Sequence, residues 1–251
     1  MAGVYSLLPI FAQTVLPVFL VASAGFVLAS FVPIDGRSVG RLLFYLATPC
    51  LVFRSLYQTQ LDATALQHLA LVAVTAAMVT GLLGWVVSAG QERKTRAAVV
   101  LTSAVSNNGN MGIPMSYYAF GDAGAALATV YYVIMSFMSN TFGAAVATAG
   151  QAGWRASLQQ SLRVPVLYAA TLGLVFNAAN IVTPVPVMRA IDLLADAAIP
   201  GMLVLLGIQL RAAPILRGRT VVARSLAVRL LASPSIAWAI CLLLGITGVE
   251  R

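Results

Sequence analysis

The sequence has little charge, a single histidine and hardly any cysteine. Asp, Glu, Lys and Arg make up only 9% of its 251 residues, against roughly a quarter in a soluble domain, so most of the chain is not built for water. One histidine and two cysteines, with no CxxC pair, leave no metal-ligand spacing and no redox centre. Cys50 and Cys241 both fall in apolar runs, where a thiol packs as a small hydrophobe. No Ser, His and Asp arrangement recommends catalysis, so the expectation is a protein that is not an enzyme, with no cofactor and no metal. Basic residues exceed acidic ones by 15 to 7, giving a formal charge of +8. They are scattered between apolar runs and form no stripe interleaved with aromatics, which argues for no nucleic acid as partner.

What is present is lipid-soluble chain: 60% of residues are hydrophobic and the mean hydropathy is +0.92. Apolar stretches of about 20 residues, enough to cross a bilayer at 1.5 Å per residue, recur between short polar links. The reading is an all-α polytopic membrane protein with spans near 7 to 31, 39 to 58, 66 to 90, 97 to 120, 123 to 148, 164 to 182, 189 to 210 and 220 to 246. The first has no basic residue before it and exceeds a signal-peptide core in length, so it is expected to be retained. With the amino terminus outside, the inward links carry Arg37 and Arg41, then Arg93, Lys94 and Arg96, then Arg155 and Arg163, then Arg211, Arg217, Arg219 and Arg224. Little more than Arg54, Arg189 and Arg251 stays outside, which is the positive-inside pattern; the expected location is a bacterial inner (plasma) membrane.

A shift of 151 positions superposes Pro33 on Pro184, Pro49 on Pro200 and Gln58 on Gln209. Span six then repeats span one, and five intervening helices invert the second copy, as in many transporters. The expected organisation is a first five-helix repeat over 1–148, a cytoplasmic linker over 149–163 and an incomplete second repeat over 164–251. Eight spans are present of an expected ten, because Val249-Glu250-Arg251 falls where Gln91-Glu92-Arg93 precedes span four. A chain cut short and a natural short form are both open.

Span four starts as an ordinary helix and then runs through Asn107-Asn108-Gly109-Asn110-Met111-Gly112-Ile113-Pro114. Proline lacks an N–H and clashes with the carbonyl four residues back, and glycine eases unusual backbone angles, so a regular helix is expected to break here. Non-helical backbone at membrane depth survives only in protein or beside a hydrated cavity, which predicts a polar pocket lined by asparagine amides. A helix restarting after the break turns its positive end to that pocket and favours an anion, most simply a carboxylate. A soluble phosphate loop would need Lys and Ser or Thr after its last glycine, and these are missing.

These residues resemble the first crossover region of the auxin efflux carrier family. Its pattern Asn-Thr-Gly-x-x-Gly-x-Pro matches at Asn107, Gly109, Gly112 and Pro114, while Asn108 stands in place of Thr. Phe120-Gly121, Asn140 near the end of span five, Pro49, and the Pro200 to Leu210 segment with Gly207 are also similar. The resemblance implies a ten-helix inverted-repeat transporter with two crossing broken helices, related to bile acid sodium symporters, and small organic acids as substrates.

The candidate substrate-binding residues are therefore Asn107, Asn108, Gly109, Asn110, Gly112, Pro114 and Asn140. Asn140 could equally serve helix packing. Arg54 with Asp196 is a candidate outer ion pair, against the alternative that each charge reaches to the interface on its own. His68 is read as interfacial. The function expected is secondary transport of a small organic anion by alternating access, with the lipid bilayer and a second copy of the chain as partners. The alternative is a membrane sensor or interaction protein that does not transport.

Overall fold

A computed structural model describes residues 2–59, 63–143, 159, 162–213 and 219–246. Every regular element among them is helical: α1 (Ala2–Phe31), α2 (Gly36–Leu42), α3 (Thr48–Gln58), α4 (Ala63–Val87), α5 (Arg93–Ala104), α6 (Ile113–Met138), α7 (Pro165–Ala178), α8 (Val185–Ala212), α9 (Arg219–Ala227) and α10 (Ser233–Leu243). Among the described residues, six helical stretches are long and apolar enough to cross a bilayer: 11–31, 36–58, 64–87, 93–143, 185–212 and 220–243. The stretch 93–143 takes in the segment expected at 97 to 120 and the described part, 123–143, of the one expected at 123 to 148, and its backbone turns at Gly121, with φ 65° and ψ −153°. The segment expected at 164 to 182 contains the shorter α7. Most of the expected linker, with Arg155, lies outside the described residues, as do Arg217 and Val249-Glu250-Arg251.

Side chains such as Phe31 and Leu243, 83% and 87% exposed, are what a lipid-facing surface requires. Polar residues inside the spans are mostly satisfied locally. The hydroxyls of Thr75, Thr80, Ser88, Thr102 and Thr171 each donate to the carbonyl four residues back. Such residues need no ligand to explain them.

Proline shapes three of the helices in one way. Pro49, Pro114 and Pro234 each follow by two residues a five-residue π turn, at Leu43–Ala47, Asn108–Gly112 and Val228–Ala232. A proline cannot donate to the carbonyl four residues back and its ring crowds that oxygen; widening the preceding turn relieves both without stopping the helix. Helix α2 begins more conventionally. The Asp35 carboxylate accepts from the amides of Arg37 and Ser38 at 3.0 and 3.2 Å and from the Ser38 hydroxyl at 2.6 Å.

The helices group into two compact units. One comprises Met1–Leu61, Asn107–Tyr132 and Pro165–Pro214, the other Asp62–Ser106, Val133–Val164 and Ile215–Arg251. In the first, α1 crosses α8 at glycine contacts: a Cβ on Gly25 would strike the backbone of Val204, and one on Gly207 would strike that of Ala22 and Phe26. Close backbone approach of this kind is how helices associate where lipid removes the hydrophobic drive. In the same unit α7 is tied to α3, with Asn177 Nδ2 donating to Tyr57 O at 2.6 Å and the Tyr57 hydroxyl accepting from the Thr183 amide at 3.3 Å.

The second unit is built on the α4–α5 hairpin, whose turn holds Gly90 at φ +81°. The Arg96 guanidinium lies 4.0 Å from the centre of the Trp85 ring. Gly84 lets α5 approach closely, since a Cβ there would come 2.7 Å from Ser103 Oγ. Helix α10 packs on α4, burying Cys241 with Val72 and Ile246.

Candidate substrate site

The predicted break is present, but it is shorter than the composition of Asn107–Pro114 suggests. Helix α5 ends at Ala104, and Val105 is extended at φ −107°, ψ 128°. Asn107 then caps a new helix: its Oδ1 accepts from the Asn110 amide at 3.3 Å and its carbonyl from the Gly112 amide at 3.1 Å. The irregular backbone is therefore Val105 to Asn107, and Asn108–Gly112 is wound as the π turn that leads into α6. Glycine and asparagine are poor in a regular helix yet suit this looser winding, and Pro114 is absorbed just beyond it.

The elements around the break fix it firmly. Ile113 is wholly buried with Leu43, Leu51, Ala195, Ala198 and Met202, and Pro114 beside it is also fully buried. This part of α6 is thereby anchored against α3 and α8. Gly109 is buried under Tyr132, whose ring lies 3.0 Å from where a Cβ would stand, whereas nothing approaches a Cβ on Gly112 closer than 3.8 Å. Asn107 is exposed, and Asn108 and Asn110 are half-buried. The three amides thus stand at the start of a helix, where backbone N–H groups and the positive dipole end also lie.

Asn140 belongs to the second unit, in the π turn Ser139–Gly143, and its Nδ2 donates to Ser136 O at 2.7 Å. Asn107 through Pro114 belong to the first unit, as do Arg54 and Asp196. Arg54 Nη1 lies 2.5 Å from Asp196 Oδ1 and 3.4 Å from the carbonyl of Asp192. This pair sits on the wall of a cavity of about 610 Å³ formed by α1, α3, α6 and α8, a volume suited to a small organic molecule. Gln58, Tyr117, Tyr118, Asp122 and Pro200 also line it, and none of Asn107, Asn108 and Asn110 does. Pro200 has no N–H for the carbonyl of Asp196, which leaves an extra acceptor on that wall. Sequence reasoning missed Tyr117 and Tyr118, in the last residues of the span expected at 97 to 120, and Asp122, in the link after it, none of which carries a spacing signal of its own.

The sequence matches the family described as membrane transport protein over residues 10–156 and 151–250. It is also similar to an uncharacterized transporter of Methanothermobacter thermautotrophicus, 25% identical over 207 residues that cover 79% of this chain and 67% of that protein.

Proposed function

Because the chain belongs to the membrane transport protein family, that of the auxin efflux carriers, we propose that it is a secondary transporter moving a small organic anion by alternating access. The observation that carries this reading is the interrupted helix, in which Asn107 caps a half-helix beginning inside an apolar stretch. Positive dipole end, backbone amides and asparagine side chains meet there, and all of them favour a carboxylate. Asn107, Asn108 and Asn110 are assigned as hydrogen-bonding ligands, with Gly109, Gly112 and Pro114 shaping the turn that presents them.

The coincidences of Pro33 with Pro184, Pro49 with Pro200 and Gln58 with Gln209 support an inverted repeat, and the distribution of arginines supports an amino terminus outside the inner membrane. The test is flux of radiolabelled mono- and dicarboxylates into proteoliposomes holding the full chain. Saturable uptake that falls at least about tenfold in Asn107→Ala, the loss of a charge-assisted hydrogen bond, is the expected result. No uptake of any acid, together with unchanged carboxylate binding in Asn107→Ala, would refute the proposal.

A further inference from the structure

The cavity of about 610 Å³ between α1, α3, α6 and α8 lies wholly within one compact unit, and the charges on its wall do not balance. Among the described lining residues Arg54 is the one cation, against the carboxylates of Asp122 and Asp196. Asp196 engages Arg54 at 2.5 Å, and Asp192 brings a further carboxylate within 3.9 Å of the same nitrogen. The arginine charge is thereby offset, and that of Asp122 is not.

The backbone explains how Asp122 comes to stand there. Gly121 holds φ 65° and ψ −153°, a conformation that residues with a Cβ avoid, and this turn makes Asp122 the opening of the second half of α6. An acid at a helix start is ordinarily spent on the free amides of the first turn. Asp122 is not: it is exposed, and among the described residues its carboxylate has no hydrogen-bond or ion-pair partner. The helix end supplies about half a positive charge, which offsets the carboxylate only in part.

Two aromatic rings line the same cavity. Tyr117 and Tyr118 meet edge to face, with centres 5.6 Å apart and planes at 68°, so each keeps a face clear of the other. Ring faces are negative and attract cations. The Asp196 carbonyl, which Pro200 cannot bond, adds an oxygen acceptor. Gln58, the last residue of α3, is exposed like Asp122, so the cavity is reached from helix ends and a hydrated cation need not cross lipid to enter it.

We propose that this cavity binds a small organic cation, a primary or quaternary ammonium ion, with Asp122 as its counter-charge and the Tyr117 and Tyr118 rings against its alkyl groups. The site does not rest on the anion-carrier reading. It takes the opposite charge, and none of Asn107, Asn108 and Asn110 lines it.

The test is isothermal titration of the full chain in phosphatidylcholine nanodiscs, whose surface has no net charge. The ligands are choline, butylammonium and phenethylammonium, with 3,3-dimethylbutan-1-ol and butyrate as uncharged and anionic controls. Wild type should bind at least one ammonium ion and neither control. Asp122→Asn should weaken the best of them about fivefold, as should Tyr117→Leu or Tyr118→Leu. Arg54→Gln, by releasing Asp196, should tighten it about threefold, the opposite of what an anion site would show. Asp122 is exposed, so its variant should keep the wild-type melting temperature and its affinity reads the site alone. No binding of any ammonium ion by wild type, equal binding of the alcohol, or unchanged affinity in Asp122→Asn would each overturn the proposal. Butyrate bound by wild type and lost in Arg54→Gln would show an anion site and overturn it as well.

Discussion

Arg54 Nη1 lies 2.5 Å from Asp196 Oδ1, a contact between α3 and α8 that bridges 142 positions of sequence. The arginine side chain is 22% exposed and the aspartate 69%, so the pair works at the rim of its cavity and is partly screened. Its coupling in a double-mutant cycle, from melting temperatures of Arg54→Ala, Asp196→Ala and the double variant, is expected near 1 kcal/mol. The second carboxylate, Asp192, at 3.9 Å, should keep part of the interaction in Asp196→Ala. Additive single effects would mean that the two charges act separately.

The α1–α8 crossing leaves no room for a side chain at Gly207, because the obstructing atoms are the backbone of Ala22 and Phe26, which no rotamer can move. Gly207→Ala should therefore destabilise the protein by about 2–3 kcal/mol, read as a fall in melting temperature in detergent. Gly25→Ala meets the backbone of Val204 and should behave the same way. Unchanged melting in both would show that the helices are farther apart than described.

Within the candidate site the two glycines should separate. Gly112→Ala meets nothing nearer than 3.8 Å and should keep near-normal uptake, whereas Gly109→Ala puts a methyl 3.0 Å from the Tyr132 ring and should displace it. A loss of about 1–2 kcal/mol in substrate binding is expected for Gly109→Ala, measured by titration against the acid that wild type binds best. Equal behaviour of the two variants would remove Tyr132 from the account of how the π turn is held.

The Asp35 cap carries a pH dependence whose sign is fixed. The Ser38 hydroxyl first, then the Arg37 amide, hold the Asp35 carboxyl below its ordinary value of 3.8. A depressed folded-state value gives stability that is present above pH 3.8 and lost as the pH falls through the folded value. Asp35→Ala should thus lower the melting temperature at pH 7 and lose its effect as the pH falls through the folded value. Asp35→Asn, which can still accept from the amides, should lie between wild type and Ala at pH 7.

Much of the architecture is legible in one dimension because lipid imposes a one-dimensional rule: a helix must be long and apolar enough to satisfy its backbone within the bilayer. Composition and run length therefore suffice to show an integral membrane protein made of helices. The place of the break is legible for a related reason, since Asn107, Gly109, Gly112 and Pro114 act on their own backbone. Its form is not. Whether Asn108–Gly112 unravels or winds as a π turn depends on Ile113 and Pro114 being buried against α3 and α8, and no local preference encodes that burial.

Tertiary structure likewise decided which polar groups are spoken for. It spends the Asn140 amide on Ser136, sets Tyr117, Tyr118 and Asp122 in the same cavity wall as the Arg54–Asp196 pair, and brings Arg229 to the Ser103 carbonyl near the end of α5. The sequence by itself determined that the chain lives in lipid and that its helix breaks near Asn107 to Pro114, because both follow from residues and their immediate neighbours. Only the packing of helices distant in sequence decided between the two readings of Arg54 and Asp196, a pair or separate interfacial charges, and added Asp192 to the pair, because contact across more than a hundred residues is not set by local spacing.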